Sequence, residues 1–256
     1  MIGESNKFGV VIVLYGAGAN RVLNNYQEIF EKLNAIDIPV VLVDHGGHSF
    51  KEKDFSRKSI SYIEQENSGF GSGVNLGCRA IFKSCDYAIV LNPDLDFSVG
   101  EFLDIGSKLS NSFSVIETQE GDIKRAIRFF NKLTGVISDQ ALAFSVPYFN
   151  GAAFSVSREL FKKTGGFDEG FFLYFEDIDF SLRLHQLSIP LEIIKANSFV
   201  HEVGGSQIED RAESGFIQKS AAKSALRLTY KWFPWSLWLY IRYSLKWLLA
   251  EFRGSR

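Results

Sequence analysis

The 256-residue chain has little of what staples or stiffens a small secreted fold: two cysteines, five prolines and one methionine. Cys78 and Cys85 lie on a segment of helical pattern, and their separation along a helix, ~10 Å, is beyond disulfide reach. They read as the reduced thiols of a cytosolic protein. No run approaches ~18 uncharged apolar residues, so an ordinary transmembrane helix is not expected. The first apolar run, Phe8–Tyr15, is short for a signal peptide and follows an acidic start, so it reads as a strand. Repeats and low-complexity linkers are also missing, which excludes collagen-like, coiled-coil and disordered chains.

Net charge is scarce only on average. The formal charge of −2 divides into −9 for residues 1–215 and +7 for residues 216–256, and all four tryptophans fall in the second piece. The expected organisation is therefore an acidic globular domain, residues 1–215, followed by a basic, aromatic tail, residues 216–256. A body of ~200 residues can bury one core without staples.

Within the body, the continuous apolar runs FGVVIVLY (8–15), IPVVLVD (38–44) and DYAIVL (86–91) alternate with helical patterns near Val22–Leu33 and up to Lys83. Such runs mark strands buried on both faces of a parallel α/β sheet. Ligands of these sheets sit beyond the carboxyl ends of the strands, where Asp44, Asn92 and Asp94 fall. Further strands are expected at Ile60–Glu64, Phe113–Glu117 and Leu191–Lys195, with helices at Val99–Leu109 and from Ser157. Residues 98–149 otherwise offer no legible chemistry.

Several segments carry candidate chemistry. NSGFGSGVNLG (67–77) opens a helix and could let a phosphate or ribose approach the backbone, with Asn67 and Asn75 reading a sugar or base edge. Its third glycine position is Leu76, and no Gly-Lys-Ser/Thr occurs, so neither the dinucleotide nor the P-loop pattern is met. LNPDLDF (91–97) ends a strand; Asp94 is the best ligand for a hard divalent cation, with Asp96 sharing that role or facing solvent. Turn chemistry alone would also explain Asn-Pro-Asp. Glu176, Asp177 and Asp179 follow the aromatic run FFLYF, whose apolar wall would raise a carboxylate's proton affinity and suit a general base. Asp179 is expected to pair with Arg183 one helical turn on. His201 follows a strand and is a candidate metal ligand, whereas His45 and His48 look like turn residues and His185 needs no function.

Taken in order, VIVLYG, VVLVDHGG, ENSGFGSGVNLG, YAIVLNPDLDF, NGAAFSVSRELFKKTGGFDEGFFLYFEDIDFSLRL and HEVGGS resemble family 2 of the inverting glycosyltransferases, especially bacterial rhamnosyltransferase-like members that build O-antigen and related polysaccharides. The resemblance covers most of residues 8–206. It implies a GT-A fold, a Rossmann-like, mainly parallel sheet flanked by helices, with a nucleotide-diphosphate sugar donor and Mg²⁺ or Mn²⁺. Asp44 would contact the base, Tyr15 and Asn75 would line the nucleotide pocket, and Asn92-Pro93-Asp94 would take the metal-motif position. His201 would complete metal or diphosphate binding. Asp177 would be the catalytic base, and Gly151, Asp168 and Glu169, with Glu176 beside them, would meet the acceptor and donor sugar. dTDP-rhamnose is the donor implied, with UDP-linked galactofuranose or hexoses as alternatives, and the implied setting is cell-surface polysaccharide synthesis.

The tail adds a partner. Lys219, Lys223, Arg227 and Lys231 recur every fourth residue of a basic amphipathic helix that Pro234 interrupts. Beyond it, Arg242, Lys246 and Arg253 fall within ~40° on a helical wheel, leaving Trp238, Ile241, Leu245, Leu248, Leu249 and Phe252 over much of the rest. This pattern suits a helix lying in an anionic membrane interface, or one packed on protein. The expectation is a cytoplasmic enzyme, peripheral on the inner face of the membrane, acting on a polyprenyl-diphosphate-linked saccharide. Nucleic acid is not an expected partner, because the acidic body would repel phosphate. The competing readings are a nucleotidyltransferase and a non-catalytic, sugar-nucleotide-binding membrane scaffold.

Overall fold

The computed structural model describes residues 7–15, 33, 37–46, 59–201 and 211–254. β1 (Phe8–Leu14), β2 (Val40–Asp44) and β3 (Ile60–Glu64) are followed by α1 (Phe70–Ile81), β4 (Tyr87–Leu91), β5 (Leu95–Asp96), α2 (Val99–Ser107) and β6 (Phe113–Ile116). Five short strands come next: β7 (Thr118–Glu120), β8 (Ile123–Arg125), β9 (Ile127–Asn131), β10 (Ile137–Ser138) and β11 (Ser145–Phe149). The chain continues through β12 (Ala153–Ser157), α3 (Arg158–Thr164), α4 (Glu176–Gln186), β13 (Glu192–Ile194), β14 (Val200–His201), α5 (Arg211–Trp232) and α6 (Leu237–Gly254). The helix expected near Val22–Leu33, apart from Leu33, lies outside the described residues, as does His48.

The central sheet has the order β13-β6-β12-β4-β1-β2-β3. Its pairs are parallel except at β12, which runs antiparallel to both β4 and β6. The sheet is thus mainly, not wholly, parallel. The exception has a geometric cause: β12 starts at the carboxyl edge of β4, where Ala153 pairs with Leu91, and so the preceding Asn150–Ala152 turn lies at the ligand edge. Alternation along each strand divides the core. Val10, Ile12 and Leu14 pack with Phe102 and Ile105 of α2 on one face. Val11 and Val13 pack with Val74 and Cys78 of α1 and Phe180 of α4 on the other. Both cysteines are buried free thiols.

Two smaller sheets flank the ligand edge, β5-β14-β7-β8 and β10-β9-β11. A third core cluster, Phe130, Tyr148, Phe171, Ile178 and Leu182, is closed by Ala225 and Leu228 of α5, Phe233, and Leu239 and Tyr243 of α6. The tail is in contact with the body. Residues 216–254 form a helical hairpin whose inner side is part of the body's core, and Pro234 sits in the turn between its two helices. Charge follows the same contact: Arg227 and Lys231 lie 2.8 and 2.9 Å from the carboxylate of Asp168. Part of the opposition between acidic body and basic tail is therefore mutual attraction within one molecule.

Candidate active site

β1, β2 and β4 end together, so Tyr15, Asp44 and the Asn92–Asp94 turn are brought to one edge. Asp44 is buried. Its carboxylate accepts from the Tyr62 hydroxyl and, at 3.0 Å, from the Gly46 N–H. Burial, followed by this bond, raises the Tyr62 phenol's pKa. His45, expected as a turn residue, is buried beside Asp44, and burial lowers its pKa. Asn67 caps the loop before α1, its side-chain oxygen accepting from Gly69 N–H at 3.1 Å. Gly69 has φ 99°, and a Cβ there would run into the Phe172 carbonyl. The Gly77 Cα faces Val11 on β1, so at this position the glycine serves helix–strand packing rather than phosphate approach.

Beyond β4, Asn92 N–H donates to the Ala152 carbonyl at 2.8 Å and ties the Asn-Pro-Asp turn to the turn before β12. At Gly151 an added Cβ would meet nothing within 4 Å, so space is open beside this turn. The antiparallel pairing of β5 with β14 sets His201 opposite Leu95. His201 Nε2 lies 3.0 Å from Asp94 Oδ1, and Nδ1 lies 3.1 Å from Glu120 Oε1. Burial would lower the imidazole's pKa, but the two carboxylates outweigh it and the net shift is upward. Asp96 is exposed, its neighbour Leu95 being buried and alternation turning the two side chains apart. Of the two expectations for Asp96, sharing the cation with Asp94 or facing solvent, its exposure fits the second.

At the other end of the site, Tyr174 and Phe175 take left-handed conformations, φ 62° and 68°, immediately before α4. Non-glycine residues adopt these angles at a cost, and here the pair aims the first turn of the helix. That turn holds Glu176 and Asp177. Burial drives both carboxyl pKa values up, and the charge of Asp177 adds to the shift on Glu176. Glu176 Oε2 is buried without a hydrogen-bond partner. Asp177 Oδ1 accepts from Ile178 N–H at 2.8 Å. Arg128 lowers the Asp177 pKa through its charge, while the charge of Asp177 contributes to the raised pKa of Tyr148 after burial. Arg128 and Tyr148 face each other in the β9–β11 register.

Neither of these two residues, nor Glu120 and Arg125, carries a local sequence signal; all four lie in the segment without legible chemistry. A polar chain links the two ends: Arg125 bonds both Glu120 and Asp139, and Arg128 Nε lies 3.1 Å from the same Asp139 carboxylate.

No family model matches the chain. Over 180 residues it is 26% identical to the low-salt glycan biosynthesis hexosyltransferase Agl10 of Haloferax volcanii, covering 63% of this chain and 58% of that one. Over 204 residues it is 24% identical to the rhamnosyltransferase WbbL of Escherichia coli K12, covering 68% and 77%. The fold superposes on the mannosyltransferase PcManGT of Pyrobaculum calidifontis, solved with GDP-Man and Mn²⁺, with TM-score 0.60 and 12% identity over 98% of this chain and 74% of that one. The chain is similar to family 2-like glycosyltransferases and has their GT-A fold. It spans little more than half the length of its Haloferax relative.

Three residues expected at the substrate of this glycosyltransferase-like chain also make contacts within the protein. Asn75 is buried, and its amide donates to Phe167 O and Glu169 Oε1, each at 2.9 Å, and accepts from Phe167 N–H at 2.8 Å. It fastens the 167–169 loop to α1. Glu169 is held by that bond. Asp168 accepts from Arg227, Lys231 and Gly170 N–H, which outweigh burial and hold its carboxyl at about 2. These contacts join the 167–169 loop to α1 and α5. The expected Asp179–Arg183 pair forms, at 2.9 Å.

Proposed function

We propose that the protein is an inverting glycosyltransferase that moves a sugar from a nucleotide-diphosphate donor to an acceptor hydroxyl. The observation that carries this reading is the two-ended site: a raised-pKa carboxylate, Asp177, at one end and the Asp94–His201 pair at the other. Asp177 removes the proton of the attacking hydroxyl, since a carboxylate with raised proton affinity is the stronger base. Glu176, next to it and incompletely bonded, contacts the acceptor, and the open Gly151 turn admits the sugar. Asp44, Asn67, Asn92 and Tyr15 line the donor side at the strand ends.

The donor set of Asp94 and His201, one carboxylate and one imidazole, fits Mg²⁺ or Mn²⁺. Among the described residues no group of three or more His, Cys, Asp or Glu is arranged to hold an ion alone, so diphosphate and water would complete the coordination. A divalent ion there would neutralise charge developing on the leaving diphosphate.

The preferred donor is dTDP-rhamnose and the preferred acceptor a lipid-linked saccharide of cell-surface polysaccharide synthesis, both following the family resemblance. No helix of the described residues is long and apolar enough to cross a membrane. Peripheral attachment is supported by the outer side of α6, where Trp238, Leu245 and Leu249 are 57, 55 and 58% exposed. The decisive experiment is release of nucleoside diphosphate from a panel of nucleotide sugars, with acceptor present, by the wild type and Asp177→Asn. Equal release by the two proteins refutes the reading.

A further inference from the structure

We propose that Glu120 is a positioning residue that presents His201 to a divalent cation and couples that end of the site to the sugar-facing turn. The inference rests on the glycosyltransferase reading and deepens it. Glu120 ends β7, and the parallel pairing of β14 with β7 sets Val200 beside Gln119, so the next residue of each strand, His201 and Glu120, are neighbours. Glu120 Oε1 lies 3.1 Å from His201 Nδ1 and accepts from Asn150 Nδ2 at 3.0 Å, while Oε2 takes Arg125. The carboxylate is only 11% exposed, so it is held by these three partners rather than by water.

The chemistry follows from the two nitrogens of the ring. An imidazole that donates from Nδ1 to a fixed carboxylate keeps its Nε2 lone pair for a ligand, and its orientation is set by the same bond. Here Nε2 lies 3.0 Å from Asp94 Oδ1, the oxygen donor of the proposed cation position. Arg125 fixes the free oxygen of Glu120 and is itself anchored by two bonds to Asp139, both 3.1 Å. Asn150 immediately precedes the open Gly151 turn. One side chain therefore orients both a cation ligand and the turn that admits the sugar. A simple surface ion pair with Arg125 would need neither of the other two bonds.

The test is a double-mutant cycle on Mn²⁺ binding, read from the free-Mn²⁺ electron paramagnetic resonance signal in the presence of UDP. Glu120→Ala is expected to weaken Mn²⁺ binding ~10- to 100-fold. His201→Ala is expected to weaken it similarly, and the double variant no further than His201→Ala alone. Glu120→Gln, which keeps an acceptor oxygen and covers the case in which the alanine variant fails to fold, is expected to lose less than Glu120→Ala. Thermal melting of each variant reports folding. Wild-type Mn²⁺ affinity in a folded Glu120→Ala or Glu120→Gln, or losses that multiply in the double variant, overturns the proposal. Absence of Mn²⁺ binding by the wild type also overturns it, and if sugar transfer persists in EDTA the glycosyltransferase reading survives alone.

Discussion

The indole N–H of Trp232, at the end of α5, donates to the carboxylate of Asp179, on α4, at 2.7 Å. Asp179 is fully buried and also meets Arg183 and Lys231, at 2.9 and 2.7 Å. A charge taken out of water survives only where donors surround it. Trp232→Phe keeps an aromatic ring but removes the indole donor and its five-membered ring, so it should cost at least ~1–3 kcal/mol in urea denaturation. An unchanged midpoint with an unchanged slope rejects this account. Truncation at residue 232 is a poorer probe, because it strips Phe233, Leu239 and Tyr243 from the core.

Asp177→Asn keeps the shape of the side chain and loses the base. Sugar transfer should fall ~10²- to 10⁴-fold with donor affinity retained, as read by steady-state kinetics and donor titration. The wild-type rate should also climb with pH along an acid limb lying above the ordinary carboxylate range, because burial raises the pKa of Asp177. A limb at the ordinary value assigns the base elsewhere.

Glu176 carries a pH signature in stability. Its folded pKa is raised, so its contribution is complete below the unfolded value of ~4.3 and is lost as pH rises through the raised folded value. Glu176→Gln removes the charge and the dependence. The variant should exceed the wild type at neutral pH by on the order of 1 kcal/mol or more and approach it near pH 4. Parallel pH profiles for the two proteins contradict the assignment.

Asn75→Ala leaves the Phe167 N–H and carbonyl unpaired within a buried contact. The expected cost is ~1–3 kcal/mol of stability. Nucleotide affinity should change less than stability does, since the amide is engaged by the 167–169 loop. A selective loss of nucleotide binding at unchanged melting temperature would return Asn75 to the donor pocket.

Leu245→Glu with Leu249→Glu places charges on the exposed side of α6. Co-sedimentation with anionic vesicles should drop at least ~10-fold while the melting temperature holds. If vesicle binding is absent in the wild type and the substitutions instead split a dimer in analytical ultracentrifugation, that face belongs to a protein partner.

The strands and most helices were legible because two-sided burial writes continuous apolar runs, as in Val10–Leu14 and Tyr87–Leu91. Asp94, Asp177 and His201 stood out as candidates because they sit at the ends of such runs or beside a family motif. Glu120, Arg125 and Arg128 were not, since short, partly exposed strands mix polar and apolar residues without a clean period. Their roles depend on pairing with β14 and β11, contacts far away in sequence. The internal partner of the tail was hidden for a related reason: Asp168, which binds Arg227 and Lys231, lies about sixty residues earlier in the chain.

The closure of the third core cluster by α5 and α6 has a consequence during synthesis. These helices leave the ribosome after α4, yet they cover Ile178 and Leu182 on it and supply Trp232 and Lys231 to its buried Asp179. A nascent chain that has emerged only through α4 already holds Glu176 and Asp177 but lacks the wall behind them. The packing around the acidic end of the proposed site is thus complete only once the helical hairpin has emerged, the same segment that carries the exposed apolar face.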